Sequence, residues 1–346
     1  MDSFINTHSL IKFFGNMPAG GVIDSCELAN KKGMKMKVIT YGATITSLKI
    51  PLINGDFLDV VLGFDNLESY LNSFNLKSAP YFGATVGRYA GRINNSAFNL
   101  NGESIYLNSN NNANSLHGGN IGFSQKQWKI KDIKEGENPS ITLSYFSTDG
   151  EENYPGDLSI DLTYTLSEEN ELIIEYVATT SKDTIINLTH HSYFNLAGHN
   201  STILEQKLMI DSYGILETND QNIPTGKLLN LENKPFDFKQ AKKCPQAIDT
   251  TFVLNESDAL SASLFNPKNN IAMLVYTNQP AVHIYIGGNC FNEIKGKENT
   301  DYNALSGICF ETQNFPDAPN HKHFPNAVLK KGGVYQHKTI YKFQNM

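Results

Sequence analysis

The stretch Ser159-Ile160-Asp161-Leu162-Thr163-Tyr164 decides the fold class. Polar and apolar side chains alternate at every step. A half-buried strand requires that pattern, because successive side chains leave a strand on opposite faces. The same texture extends outward in both directions. Residues 141–146, 158–166 and 171–179 are strand-length runs, and 183–188 is of β type. Towards the N-terminus, 22–29, 34–41, 44–50 and 58–63 read as strands, and residues 97–107 as a hairpin turning at Asn101-Gly102. Towards the C-terminus, strands are expected at 204–210, 252–254, 259–265, 271–276, 282–286, 307–311 and 334–342. The likeliest helix is short, residues 65–71, with Asp65 as its N-cap. No helices alternate with the strands, which excludes a parallel α/β architecture. No fixed-period repeat points to a propeller or solenoid. The pattern predicts an all-β protein, a large antiparallel β-sandwich with a cleft on one face. No linker composition interrupts residues 1–346, so one domain is expected, with a core over about 20–345.

Composition narrows the partners. Hydrophobic residues make up 40% of the 346, enough for a substantial core. The net charge of −7, with no basic run, argues against nucleic acid and anionic membranes. Cys26, Cys244, Cys290 and Cys309 are scattered without CxxC spacing, as expected of reduced thiols. Residues 1–14 lack the pattern of a signal peptide, and no apolar run approaches the ~20 residues of a membrane span. A cytoplasmic protein is expected.

Chemistry concentrates in Leu188-Thr189-His190-His191-Ser192-Tyr193-Phe194-Asn195-Leu196-Ala197-Gly198. Only one of His190 and His191 can face a cleft together with Tyr193, because neighbours on a strand diverge. An imidazole beside the hydroxyls of Ser192 and Tyr193 and the amide of Asn195 suits a small polyhydroxylated ligand. The plain alternative is a core histidine satisfied by hydrogen bonds. Glu311 follows the apolar Ile308-Cys309-Phe310, and a carboxylate on a rigid, partly desolvated mount suits a general base. A strand-end glutamate in solvent is the simpler reading. Arg92, in a glycine-rich loop over residues 80–94, His117 before Gly118-Gly119, and Asp249 complete the set. Neither His190-His191 nor His321-Lys322-His323 has metal-ligand spacing, so no metal and no cofactor are expected.

Five blocks in order then become recognisable: Gly87-Arg88-Tyr89-Ala90-Gly91-Arg92-Ile93, Asn114-Ser115-Leu116-His117-Gly118-Gly119, His191 through Gly198, Tyr276-Thr277-Asn278-Gln279-Pro280, and Glu311-Thr312-Gln313 through Asn320. The chain resembles the aldose 1-epimerases, or galactose mutarotases, over nearly its whole length. The resemblance implies a supersandwich fold and interconversion of the α and β anomers of free aldohexoses, such as galactose and glucose, without cofactor or metal. It implies Glu311 as catalytic base and His191 as catalytic acid. Arg92 rather than Arg88, with His117, Asp249 and Gln279, would bind the sugar, and Ser192 and Tyr193 flank it. Gly91 stands where an asparagine is common, His190 replaces an asparagine, and Thr250 follows Asp249 where histidine is frequent. A hexose-6-phosphate epimerase would need extra basic residues, and a non-catalytic sugar-binding protein would have lost Glu311 or His191. A glycoside hydrolase would need a carboxylate pair that the sequence does not display. A monomer or homodimer acting on a small sugar is expected.

Overall fold

The computed structural model describes residues 10–232, 234–255, 259–288 and 293–346. Cys290 and most of the N-terminal stretch judged above lie outside them. Ile160, Leu162 and Tyr164 are buried and Ser159, Asp161 and Thr163 point outward, as the alternation required. They belong to strand Leu158–Leu166, third in an antiparallel sheet of nine. Its order is Lys129–Lys134, Ser140–Ser147, Leu158–Leu166, Glu171–Thr180, Val334–Asn345, Ile271–Thr277, Ala262–Asn266, Lys207–Ile210 and Lys242–Lys243. A second sheet has six strands: Tyr193–Phe194, Ile308–Gln313, Ala281–Ile286, Ile248–Leu254, Ser212–Thr218 and Pro224–Asn230. A third, five-stranded sheet is a meander of Ile11–Asn16, Val22–Ala29, Lys35–Ile39, Thr44–Pro51 and Phe57–Asp59.

One apolar cluster joins the three sheets. It draws Met36 and Leu48 from the five-stranded sheet, Leu162, Ile174 and Tyr341 from the nine-stranded one, and Phe252, Ile284 and Phe310 from the six-stranded one. The expected sandwich is therefore present, with both faces antiparallel. Bonds cross the layers as well. Tyr341 donates its hydroxyl to the Phe310 carbonyl at 2.8 Å, and Thr189 donates to the Thr312 carbonyl at 2.9 Å.

Four strands of six or more residues were not legible: Ile11–Asn16, Lys129–Lys134, Ser212–Thr218 and Pro224–Asn230. Three of them are sheet edges. Lys129–Lys134 alternates charge with Ile130 and Ile133 only, and Pro224 opens its strand, both common at edges that must not recruit further strands. The helix is Leu67–Ser73, and its cap is Asn66, not Asp65, because the Asn66 Oδ1 accepts the Ser69 N–H at 2.9 Å. The run at 183–188 yields only the short strand Thr184–Ile185. The hairpin Ala97–Leu100 and Glu103–Tyr106 turns at Asn101-Gly102, both at positive φ, as a two-residue turn demands. Among the described residues no helix is long and apolar enough to cross a membrane.

Candidate active site

Period-2 geometry on the six-stranded sheet builds the floor of a cleft. In Ile308–Gln313, Phe310 turns inward, where its ring meets Phe194, and Thr312 meets His337 and Thr339. Glu311 and Gln313 therefore leave from the opposite face and line the cleft. On the neighbouring strand His283 pairs with Glu311 and Tyr285 with Cys309. One strand further, Thr251 pairs with His283 and Asp249 with Tyr285. Tyr193 enters from the sheet's own edge strand, Arg92 from the short strand Arg92–Ile93, and connecting segments add Tyr81, Gly91, His117, His191 and Asn222. The cavity measures about 180 Å³, the scale of one small ligand.

His191 and Glu311 form its centre. Nε2 and Oε1 stand 3.4 Å apart, with both side chains almost wholly buried. The other ring nitrogen, Nδ1, faces Cys309 Sγ at 3.7 Å. Burial pushes the His191 pKa below its ordinary value, against the pull of the Glu311 charge. An imidazolium formed here is a stronger acid than a free one. His190 points the other way, its Nε2 bonded to Ser192 Oγ at 2.7 Å, and it does not line the cleft. The strand-parity argument selects His191.

His117 is held in the left-handed region, φ 51°, between Arg92 and His191. A Cβ on the next residue, Gly118, would lie 1.9 Å from the Gly87 carbonyl oxygen, so only glycine permits this approach. Gly91 donates its N–H to His117 Nδ1 at 3.3 Å. Burial, then the neighbouring His191 and Arg92, hold His117 well below its ordinary pKa and therefore neutral. Its single proton must then reside on Nε2. Gly91 itself has φ 79°, and a Cβ there would lie 2.9 Å from Pro316 Cβ and Cγ, so any larger residue at this position would require Pro316 to shift.

The family model described as Aldose 1-epimerase matches residues 24–342. The chain belongs to the aldose 1-epimerase family. It is 38% identical to galactose mutarotase of Bos taurus over 342 residues, covering 95% of this chain and 97% of that one. It is 35% identical to the aldose 1-epimerase of Haemophilus influenzae over 350 residues, covering 95% and 98%. Among solved structures, an aldose epimerase homologue from C. elegans superposes with a TM-score of 0.84 at 31% identity, covering 92% and 98%.

Within this family member, Arg92, His117, His191, Tyr193, Asp249 and Glu311 all line one cleft. Arg88 does not. It is buried, with its guanidinium bonded to Ser147 and to the carbonyls of Thr148, Pro155 and Gly156. Two expected contacts lie elsewhere. Gln279 belongs to the turn after Ile271–Thr277 and bonds Asn278 at 2.9 Å, and Ser192 is spent on His190. Gln279 lies within the matched block Tyr276–Pro280, and the cleft-lining residues of this region come from the following strand, at His283 and Tyr285. His283, Thr251 and Asn222 were passed over. Asn222 donates to Asp249 Oδ2 at 3.0 Å, and His283 Nε2 meets Asp249 Oδ1 at 2.9 Å. Parity was the available signal, because Val282 and Ile284 are buried and must turn His283 and Tyr285 outward.

Proposed function

We propose that this cleft interconverts the α and β anomers of free aldohexoses, with Glu311 as base and His191 as acid. The observation that carries the assignment is the 3.4 Å approach of His191 Nε2 to Glu311 Oε1 in the floor of a cavity sized for one small ligand. Glu311 takes the proton of the C1 hydroxyl while His191 gives one to the ring oxygen. The C1–ring-oxygen bond breaks as the C1 carbonyl forms. Rotation about C1–C2 presents the other carbonyl face, and closure returns both protons with the roles exchanged. Arg92 and the His117 Nε2–H steady negative charge that develops on the sugar oxygens. Tyr81 and Tyr193, which flank the His191 ring, offer apolar surface to the C–H groups. Asp249 grips sugar hydroxyls.

Two rivals are disfavoured by particular residues. Arg92 is the one lysine or arginine among the lining residues, which suits an uncharged sugar better than a 6-phosphate. Asp249 does bring a second carboxylate into the cleft, beside Glu311. Burial would raise its pKa, but the bond to His283 prevails and holds it below the usual value, the reverse of what a glycosidase acid needs.

His117, His191 and Glu311 have donor atoms within 4.8 Å of one another, so a metal deserves a physical test. A ligating imidazole needs a free lone pair, and the Gly91 bond leaves the cleft-facing nitrogen of His117 protonated. The chemistry proposed is metal-free and cofactor-free. We place the protein in the cytoplasm as one domain, monomeric or homodimeric, in keeping with the free, buried Cys26, Cys244 and Cys309.

Polarimetry of freshly dissolved α-D-galactose and α-D-glucose tests the reading. The protein should speed the approach to equilibrium rotation, and the 6-phosphates should respond far less. A preference for the phosphates would transfer the case to a hexose-phosphate epimerase, and no acceleration of any sugar would leave a binding protein.

A further inference from the structure

His283 has no role in the scheme above, yet it stands between the two carboxylates of the cleft. It pairs with Glu311 on one neighbouring strand and with Thr251 on the other. Both ring nitrogens are engaged: Nε2 meets Asp249 Oδ1 at 2.9 Å and Nδ1 meets Thr251 Oγ1 at 2.8 Å. Neither nitrogen is left for a sugar, so any influence on substrate passes through Asp249. Asp249 is held at both oxygens, with Asn222 on Oδ2, while its side chain remains 37% exposed. A carboxylate oxygen accepts more than one bond, so the oxygens keep a fixed direction and spare acceptor capacity towards the cleft.

Charge sharpens the picture. The groups facing His283 are Asp249, Glu311, Tyr285 on its own strand, Arg92, His117 and His191. His117 and His191 are both held towards neutrality by burial. With His283 protonated, its positive charge joins that of Arg92 opposite the two carboxylates, in addition to the proton that His191 carries when it acts as acid. Loss of the His283 proton removes one positive charge from beside sugar oxygens on which ring opening places more negative charge. Burial disfavours the imidazolium, but the Asp249 bond and the Glu311 charge outweigh it, and the His283 pKa lies above its ordinary value. When the proton leaves, the Asp249 bond also loses its charge assistance, which is about half its strength.

We propose that His283 is a positioning residue for the sugar: its imidazolium locks Asp249 in the orientation that receives sugar hydroxyls, and sugar binding weakens when that proton is lost. The proposal rests on the reading of Asp249 as a sugar-binding carboxylate.

KM for galactose, followed by polarimetry between pH 6 and 9, should rise several-fold in the wild type as the imidazole titrates. His283→Gln offers Asp249 an amide donor that never carries charge. It should raise KM about 5–10-fold at pH 6, the worth of roughly one charge-assisted bond's excess over a neutral one, and abolish the pH dependence. kcat should fall by less than KM rises. Wild-type KM and pH dependence in His283→Gln would overturn the proposal, as would a large loss of kcat at unchanged KM. Should that variant not fold, nitrogen NMR of the wild-type histidines replaces it. Added galactose should then move the His283 titration to higher pH, because a ligand that prefers the protonated form must hold the proton. An unmoved titration would refute the inference. Calorimetric affinity against pH reads His283 even if no anomerisation is found, so failure of the activity and failure of this inference are separable.

Discussion

Two groups of histidines, one between the sheets and one in the cleft, differ less in depth than in the partners they meet. His337 lies between the layers, bonded to the Leu188 carbonyl at 3.1 Å and to the hydroxyls of Thr312 and Thr339. His190 has Ser192 and packs edge-on against Tyr164. Burial drives both to a pKa of about 3, so they are neutral hydrogen-bonding cement. His191 is as enclosed, and His283, with 17% of its side chain exposed, is only somewhat less so, but they face Glu311 and Asp249, and a carboxylate within reach restores the charged form as an option. The partner, more than the depth, decides whether an imidazole holds a structure together or moves a proton.

The contrast predicts its largest effect at Glu311. Glu311→Gln keeps size and hydrogen bonding but cannot take a proton, and kcat should fall about 10²–10⁴-fold with sugar binding retained by calorimetry. His191→Asn should lose a comparable amount. The double variant should lose far less than the product of the two, since both serve one proton cycle. Anomerisation near the wild-type rate in Glu311→Gln would end the comparison on its active side.

On the structural side the expected effect is on stability. His337→Val deprives the Leu188 carbonyl and two threonine hydroxyls of a partner and should cost about 1–3 kcal/mol in urea unfolding, with kcat reduced far less than tenfold. The sign of the pH dependence follows from the depressed pKa. An unfolded histidine binds a proton near pH 6.5 and the folded one only near 3, so stability is full above about 6.5 and drains away as the pH falls towards 3. The His337→Val variant should show a shallower decline over that window than the wild type. An equal slope would show that His337 is not held neutral. The smallest effect is expected from chelation: exhaustive EDTA treatment should leave mutarotation unchanged. Loss restored by a single divalent ion would mean that the Gly91–His117 bond does not fix the proton as argued.

Legibility followed the length of the local pattern. Alternation over residues 158–166 was enough to fix a strand and its buried face, and the same parity separated His191 from His190. Glu311 could be read as strand-mounted, although it sits within Ile308–Gln313 and not at its end. Edge strands escaped because half of their hydrogen-bonding surface faces water, so their side chains need not alternate. His283 escaped for a different reason. Its meaning comes from Asp249 and Glu311, each about thirty residues away and brought alongside only by antiparallel pairing. A single histidine in an apolar strand carries no local sign of two carboxylates waiting across the sheet.

The bonds from Tyr341 and Thr189 to the carbonyls either side of Glu311 bear on how this protein wears out. They lie behind the strand, away from the cleft, and come from outside its own sheet. The backbone around Glu311 is thereby stitched to the buried layers, and its amides should exchange only through global unfolding, as core strands do. Heat should therefore extinguish activity and structure in a single step, with no warm, folded and inactive form in between.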